Sequence, residues 1–132
     1  MSDSVAYLDS SAFVKTVVVE AESRELERYL EQAGRLVSSS LLETEARRAA
    51  LRVDPRHLTL VERRLLGVSL VAVTTDILVA AGSLKPVGIR SLDAIHLATA
   101  LSLGRELDCV VTYDERMAAA AASLGLSVRT PV

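Results

Sequence analysis

Asp9, Glu45, Asp93 and Asp114 are the residues of this chain whose types and spacing suit joint chemistry. Asp9 closes the apolar run Val5-Ala6-Tyr7-Leu8, and Asp114 follows Val110-Val111-Thr112-Tyr113. Glu45 follows Leu41-Leu42, and Asp93 follows Ser91-Leu92, in segments that read as helices. In a parallel sheet flanked by helices, ligands bind beyond the carboxyl ends of the strands. Carboxylates gathered on that rim repel one another unless a cation joins them, and oxygen ligands suit Mg²⁺ or Mn²⁺. Such a site suits phosphodiester hydrolysis: the ion lowers the pKa of a water, orients it for in-line attack and neutralises the leaving oxygen.

Each acid also has a bland reading. Asp9 and Asp114 suit helix N-caps, Asp93 complements a helix dipole in a first turn, and Glu45 alone reads as a solvated helix residue. The functional reading is joint, because the acids recur where strands feed helices. No competing chemistry stands out. There is no P-loop and no dinucleotide glycine fingerprint. His57 and His96 lack zinc-ligand spacing with each other or with cysteine. His96 lies three residues after Asp93 and so shares its helix face, which suits packing or support of the site. The serines lack a nucleophile-elbow context.

The elements that must position these acids alternate between strand and helix. Strands are expected at 5–8, 35–38, 70–73 and 108–112, with a last short one at 127–129. Helices are expected at 10–18, 22–33, 41–53, 59–66, 75–84, 91–104 and 114–123. Leu26, Tyr29, Leu30 and Ala33 line one face of the second helix while Arg24, Glu25, Glu27, Arg28 and Glu31 line the other. Asp54-Pro55 and Gly34 stop helices. This alternation predicts an α/β chain, a three-layer α/β/α sandwich with a central, mostly parallel sheet.

The 132 residues suit a single domain, 1–132, with half of the residues hydrophobic. The formal net charge of -2 advertises no global basic field for nucleic acid. Cys109, alone of its type and inside an apolar run, reads as a buried inert thiol. No signal-peptide pattern and no bilayer-length apolar stretch is found, so a cytoplasmic protein without membrane contact is expected.

At this point the motifs resemble the PIN-domain nucleases, most closely the VapC-like ribonuclease toxins of toxin–antitoxin pairs. The resemblance covers nearly the whole chain. Its pieces are Tyr7 to Lys15, Ser39 to Ala49, Ser91-Leu92-Asp93-Ala94-Ile95-His96-Leu97-Ala98-Thr99-Ala100, and Val110 to Asp114. Any one piece is weak, while four in this order are specific. The resemblance implies a metal-dependent endoribonuclease with a Mg²⁺ (or Mn²⁺) site, a cognate antitoxin, an RNA substrate and a homodimer. Carried over by position, it implies Asp9, Glu45, Asp93 and Asp114 as the acidic site, with Asp9, Asp93 and Asp114 on the metal. Ser10 is implied as a support, and Thr112 as the residue that orients a carboxylate or a water. Glu43 is the alternative to Glu45. Two residues apart on a helix they face nearly opposite ways, and the placing of Arg48 and Ala49 favours Glu45.

All but two of the basic side chains are arginine, the exceptions being Lys15 and Lys85. Arg90 and Arg116, beside two acidic motifs, are candidates for gripping RNA phosphates. With one phenylalanine and three tyrosines, few rings are available to stack bases, so recognition through RNA shape and backbone is expected. Two other readings remain: an RNA-processing nuclease of the same fold outside any toxin pair, and a non-catalytic α/β binding or regulatory module whose acids only cap helices.

Overall fold

The computed structural model describes residues 4–132. β1 (Val5–Leu8) leads through Asp9 into α1 (Ser10–Val14) and α2 (Ser23–Gln32). β2 (Arg35–Ser39) is followed by α3 (Leu42–Val53), a 3₁₀ turn at Pro55–His57, and α4 (Leu58–Leu65). β3 (Ser69–Val71), α5 (Thr75–Gly82) and α6 (Ser91–Ser102) come next, then β4 (Leu107–Val111), α7 (Glu115–Ser123) and β5 (Val128–Arg129).

The sheet order is β3-β2-β1-β4-β5, and every described pairing is parallel. The chain builds outward from β1 in one direction, through β2 to β3. It then returns to place β4 on the other side of β1. The order therefore reverses between β1 and β4, and a crevice opens beyond their carboxyl ends. Asp9 and Asp114 are the acids that follow those two strands.

Successive residues of the central strands face opposite layers, with the period of two that a pleated sheet requires. Ala6 and Leu8 of β1, with Cys109 and Val111 of β4, pack against α1, α2, α3 and α4 through Phe13, Leu26, Leu42, Ala46 and Val61. Val5, Tyr7, Val37 and Val110 face the other layer, where Ala100 of α6 covers them. Leu97 of α6 joins Met117, Ala120 and Ala121 of α7. Both faces are thus covered, which explains the continuous apolar runs of β1 and β4. Each fully buried leucine, such as Leu26 or Leu42, contributes roughly 1.5–3 kcal/mol relative to exposure. Cys109 is buried against the Tyr29 hydroxyl, and burial raises its thiol pKa.

The first helix ends at Val14, short of the expected Val18. The run Thr16-Val17-Val18-Val19 is β-branched throughout, which disfavours helix. Thr16 caps the end instead, its hydroxyl bonding the Phe13 carbonyl at 2.6 Å. β3 is also earlier and shorter than expected, because only Ser69 to Val71 pairs with β2.

Candidate active site

Asp9 stands at the floor of the crevice, 4% exposed. It is the N-cap of α1, and its Oδ1 accepts the Ala12 backbone N–H at 3.0 Å and the Ser11 hydroxyl at 2.6 Å. Its Oδ2 accepts the Thr112 hydroxyl at 2.5 Å. Burial drives the Asp9 pKa above the ordinary carboxylate range, and the bonds from Ser11, Thr112 and Ala12 oppose that rise. The Thr112 oxygen also accepts the Asp114 backbone N–H at 3.1 Å, so one hydroxyl ties the ends of β1 and β4 together. The serine that touches Asp9 is Ser11. Ser10, the support implied by the resemblance, makes no described side-chain bond to it. In so short a helix one residue of register decides which hydroxyl turns inward.

Glu45 and Glu43 part as helix geometry requires. Glu43 is exposed and pairs with Arg47 at 3.1 Å, one turn on. Glu45 is 19% exposed and meets His96 Nε2 through Oε1 at 2.6 Å. The other ring nitrogen, Nδ1, lies 2.7 Å from the Tyr7 hydroxyl. Burial raises the Tyr7 pKa well above its ordinary value, so the phenol keeps its proton. A carboxylate only accepts, so Nε2 is the nitrogen that donates to Glu45, and in that tautomer of the neutral ring Nδ1 accepts from the Tyr7 hydroxyl. The chain Tyr7–His96–Glu45 crosses from β1 through α6 to α3 and fixes the direction of Glu45. Tyr7 had read only as an apolar strand residue, and its partner lies 89 positions away.

Asp93 and Asp114 form an outer pair, 20% and 33% exposed. Arg90 joins them: Nε donates to Asp93 at 3.0 Å and an Nη to Asp114 at 3.1 Å. The two carboxylates raise the pKa of Arg90 further above its ordinary value, Asp93 having the larger effect. Asp114 divides its oxygens between two tasks. Oδ1 caps α7 by accepting the N–H groups of Arg116 and Met117, and Oδ2 faces Arg90. Arg116 is exposed, and among the described residues its side chain has no ion pair.

The structure thus brings Asp9, Thr112 and Asp114 into one bonded network and joins Asp114 to Asp93 through Arg90. Glu45 reaches the same rim through His96. Among the described residues, no three acidic, histidine or cysteine groups close around a single point.

A family model for the PIN domain matches residues 6–123. The chain belongs to the PIN-domain family. Within this family, it is 46% identical over 125 residues to "Ribonuclease VapC46" of Mycobacterium tuberculosis, covering 95% of this chain and 96% of the relative. It is 38% identical over 129 residues to "Ribonuclease VapC35" of the same species, with the same coverage. Two solved PIN-like structures agree in fold. One is VapC20 of Mycobacterium tuberculosis, described as a sarcin-ricin loop cleaving toxin, with a TM-score of 0.73 at 16% identity over 87% of this chain and 94% of that one. The other is a toxin–antitoxin complex from Klebsiella pneumoniae, with a TM-score of 0.68 at 20% identity over 96% of this chain and 98% of that one. No helix among the described residues is long and apolar enough to cross a membrane.

Proposed function

We propose that this PIN domain is a metal-dependent endoribonuclease, the toxin of a toxin–antitoxin pair, whose catalytic acids are Asp9, Glu45, Asp93 and Asp114. The observation that carries the reading is the Arg90 bridge. Two carboxylates at the mouth of a fold-defined crevice are drawn around one cation, above a third that burial holds at a raised pKa.

The donor set fits a hard divalent ion. All the candidate ligands are carboxylate oxygens, and Mg²⁺ commonly takes only one or two of them, leaving its other positions to water and substrate phosphate. The absence of a closed three-residue cage is in keeping with that habit. Asp93 and Asp114 would hold the ion, with Asp9 beneath them. When bound, Mg²⁺ or Mn²⁺ supplies the acidity that makes water a nucleophile near neutral pH and offsets charge on the phosphate. Thr112 holds one Asp9 oxygen in place, and Ser11 and the Ala12 N–H hold the other. Glu45, steered by the buried hydrogen of His96, is directed to accept a proton from an attacking water. Arg90, if displaced from the acids, is next to the phosphodiester and can pair with it.

Antitoxin pairing is supported by an apolar cleft of about 450 Å³ between α1, α2 and α4, lined by Phe13, Leu30, Leu36, Leu60 and Val68. The cleft suits an amphipathic helix. A homodimer is supported by the exposed apolar side chains Leu78, Val79, Val87 and Leu92.

The test is cleavage of total cellular RNA by purified, antitoxin-free protein with Mg²⁺, with Mn²⁺ and with EDTA, beside a folded Asp93→Asn variant. Discrete fragments that require metal and disappear in the variant are expected. Equal cleavage in EDTA would overturn the metal reading, and no cleavage of any RNA by the metal-loaded protein would overturn the nuclease.

A further inference from the structure

A second hollow, about 360 Å³, opens between the segment before α6 and the face of α7. Its apolar lining includes Pro86, Ile89, Ala119 and Ala120, and Arg90, Asp93 and Arg116 line it as well. We propose that this hollow is a nucleoside subsite, which takes the base and ribose of one unstacked nucleotide beside the scissile phosphodiester, with that nucleotide's outer phosphate against Arg116. The inference rests on the nuclease reading and extends it to how the RNA is held.

Four observations support it. Asp93 belongs both to the hollow and to the acid pair, so a strand whose phosphate lies at the acids passes the mouth of the hollow. Apolar residues supply much of the lining beside a few polar groups, which is the usual pattern of a small-molecule site. A surface that only tracked phosphates would have no need of an apolar recess. The face of α7 is kept shallow by alanines, and Ala119 is solvent-exposed, so larger side chains were sterically open there. Arg116 also stands in the first turn of α7, where a cation opposes the helix dipole. It has no ion pair among the described residues, whereas Arg90 is already matched by two acids. A phosphate would satisfy the charge at Arg116.

No aromatic ring lines the hollow, so the base is held by apolar contact and fit. That form of recognition requires a nucleotide already out of a helical stack, as in a loop. The size, near the low end of ligand sites, suits one nucleoside.

The test uses the ¹⁵N-labelled full chain in EDTA, titrated with the four ribonucleoside 5′-monophosphates and with ribose 5-phosphate. Amide shifts at Ile89, Ala119 and Ala120 are expected with at least one nucleotide and not with ribose 5-phosphate. They are expected to vanish in Ala119→Leu while the rest of the spectrum is unchanged. Arg116→Gln keeps the fold and should weaken nucleotide binding several-fold. Identical shifts from ribose 5-phosphate, or undiminished base-dependent shifts in Ala119→Leu, would overturn the subsite. In the Mg²⁺ cleavage assay, Ala119→Leu should lose about tenfold or more in rate with Mn²⁺ binding unchanged. A wild-type protein that binds nucleotide here but never cuts RNA would sink the nuclease reading and leave the binding site standing.

Discussion

The two halves of the acidic rim are held by different forces. The inner half, Asp9 and Glu45, is fastened by hydrogen-bond donors: Ser11, Thr112, a backbone N–H and the Tyr7–His96 chain. The outer half, Asp93 and Asp114, is fastened by one exposed cation on Arg90. Donors embedded in packed strands and helices keep their geometry whatever ion is present. A guanidinium on a flexible, 55% exposed side chain can be exchanged for another positive charge. On the proposed metal-dependent reading, one half is a fixed template and the other is a place where cations trade.

The sharpest way to break that contrast is to neutralise the template. Asp9→Asn should reduce RNA cleavage by about 10²-fold or more. It should also alter stability in a defined direction. The folded protein holds the Asp9 proton more tightly than the unfolded chain does. Its contribution to stability is therefore full at low pH and is lost as pH rises through the raised pKa. Urea unfolding in EDTA between about pH 4 and 8 should show wild type losing ground to Asp9→Asn as pH rises, and parallel curves would contradict this. Next comes Tyr7→Phe, which removes only the donor to His96. Loss of such a supporting bond should slow cleavage about 10-fold and leave Mn²⁺ affinity unaltered, because Glu45 is outside the proposed ligand set. An unchanged rate would reduce the chain to packing. Arg90→Ala should strengthen Mn²⁺ binding in an EPR titration, by on the order of tenfold or less, while cleavage falls. Weaker metal binding would mean that Arg90 assembles the pair and does not compete for it. Smallest of all, Glu43→Ala should leave cleavage unchanged and alter stability by about 0.5 kcal/mol or less, since its pair with Arg47 is solvent-exposed. A loss of activity there would return the catalytic glutamate to position 43.

Much of the template was legible in the residues themselves. Val5 to Leu8 and Cys109 to Val111 announce buried parallel strands, and the acids that follow announce the rim. The opposed faces of Glu43 and Glu45 follow from helix geometry alone. What could not be read were contacts made at long range or decided by one residue of register. Tyr7 looks like any strand aromatic until α6 brings His96 against it. That Arg90 sits between Asp93 and Asp114 shows only once the chain is folded. Ser11 rather than Ser10 reaches Asp9 because a five-residue helix turns only one of the two inward. The end of α1 was misjudged for a local reason, the β-branched run after Lys15.

The divided duties of Asp114 have a kinetic consequence. Because Oδ1 keeps the first turn of α7 capped while Oδ2 alone faces Arg90, swapping one cation for another requires no helix to unravel and no strand to shift. The movement is a rotamer change of one exposed side chain, an event of the picosecond-to-nanosecond range. On the proposed reading, arming of the centre is then limited by arrival of the ion and departure of the antitoxin, with no slow refolding step between them.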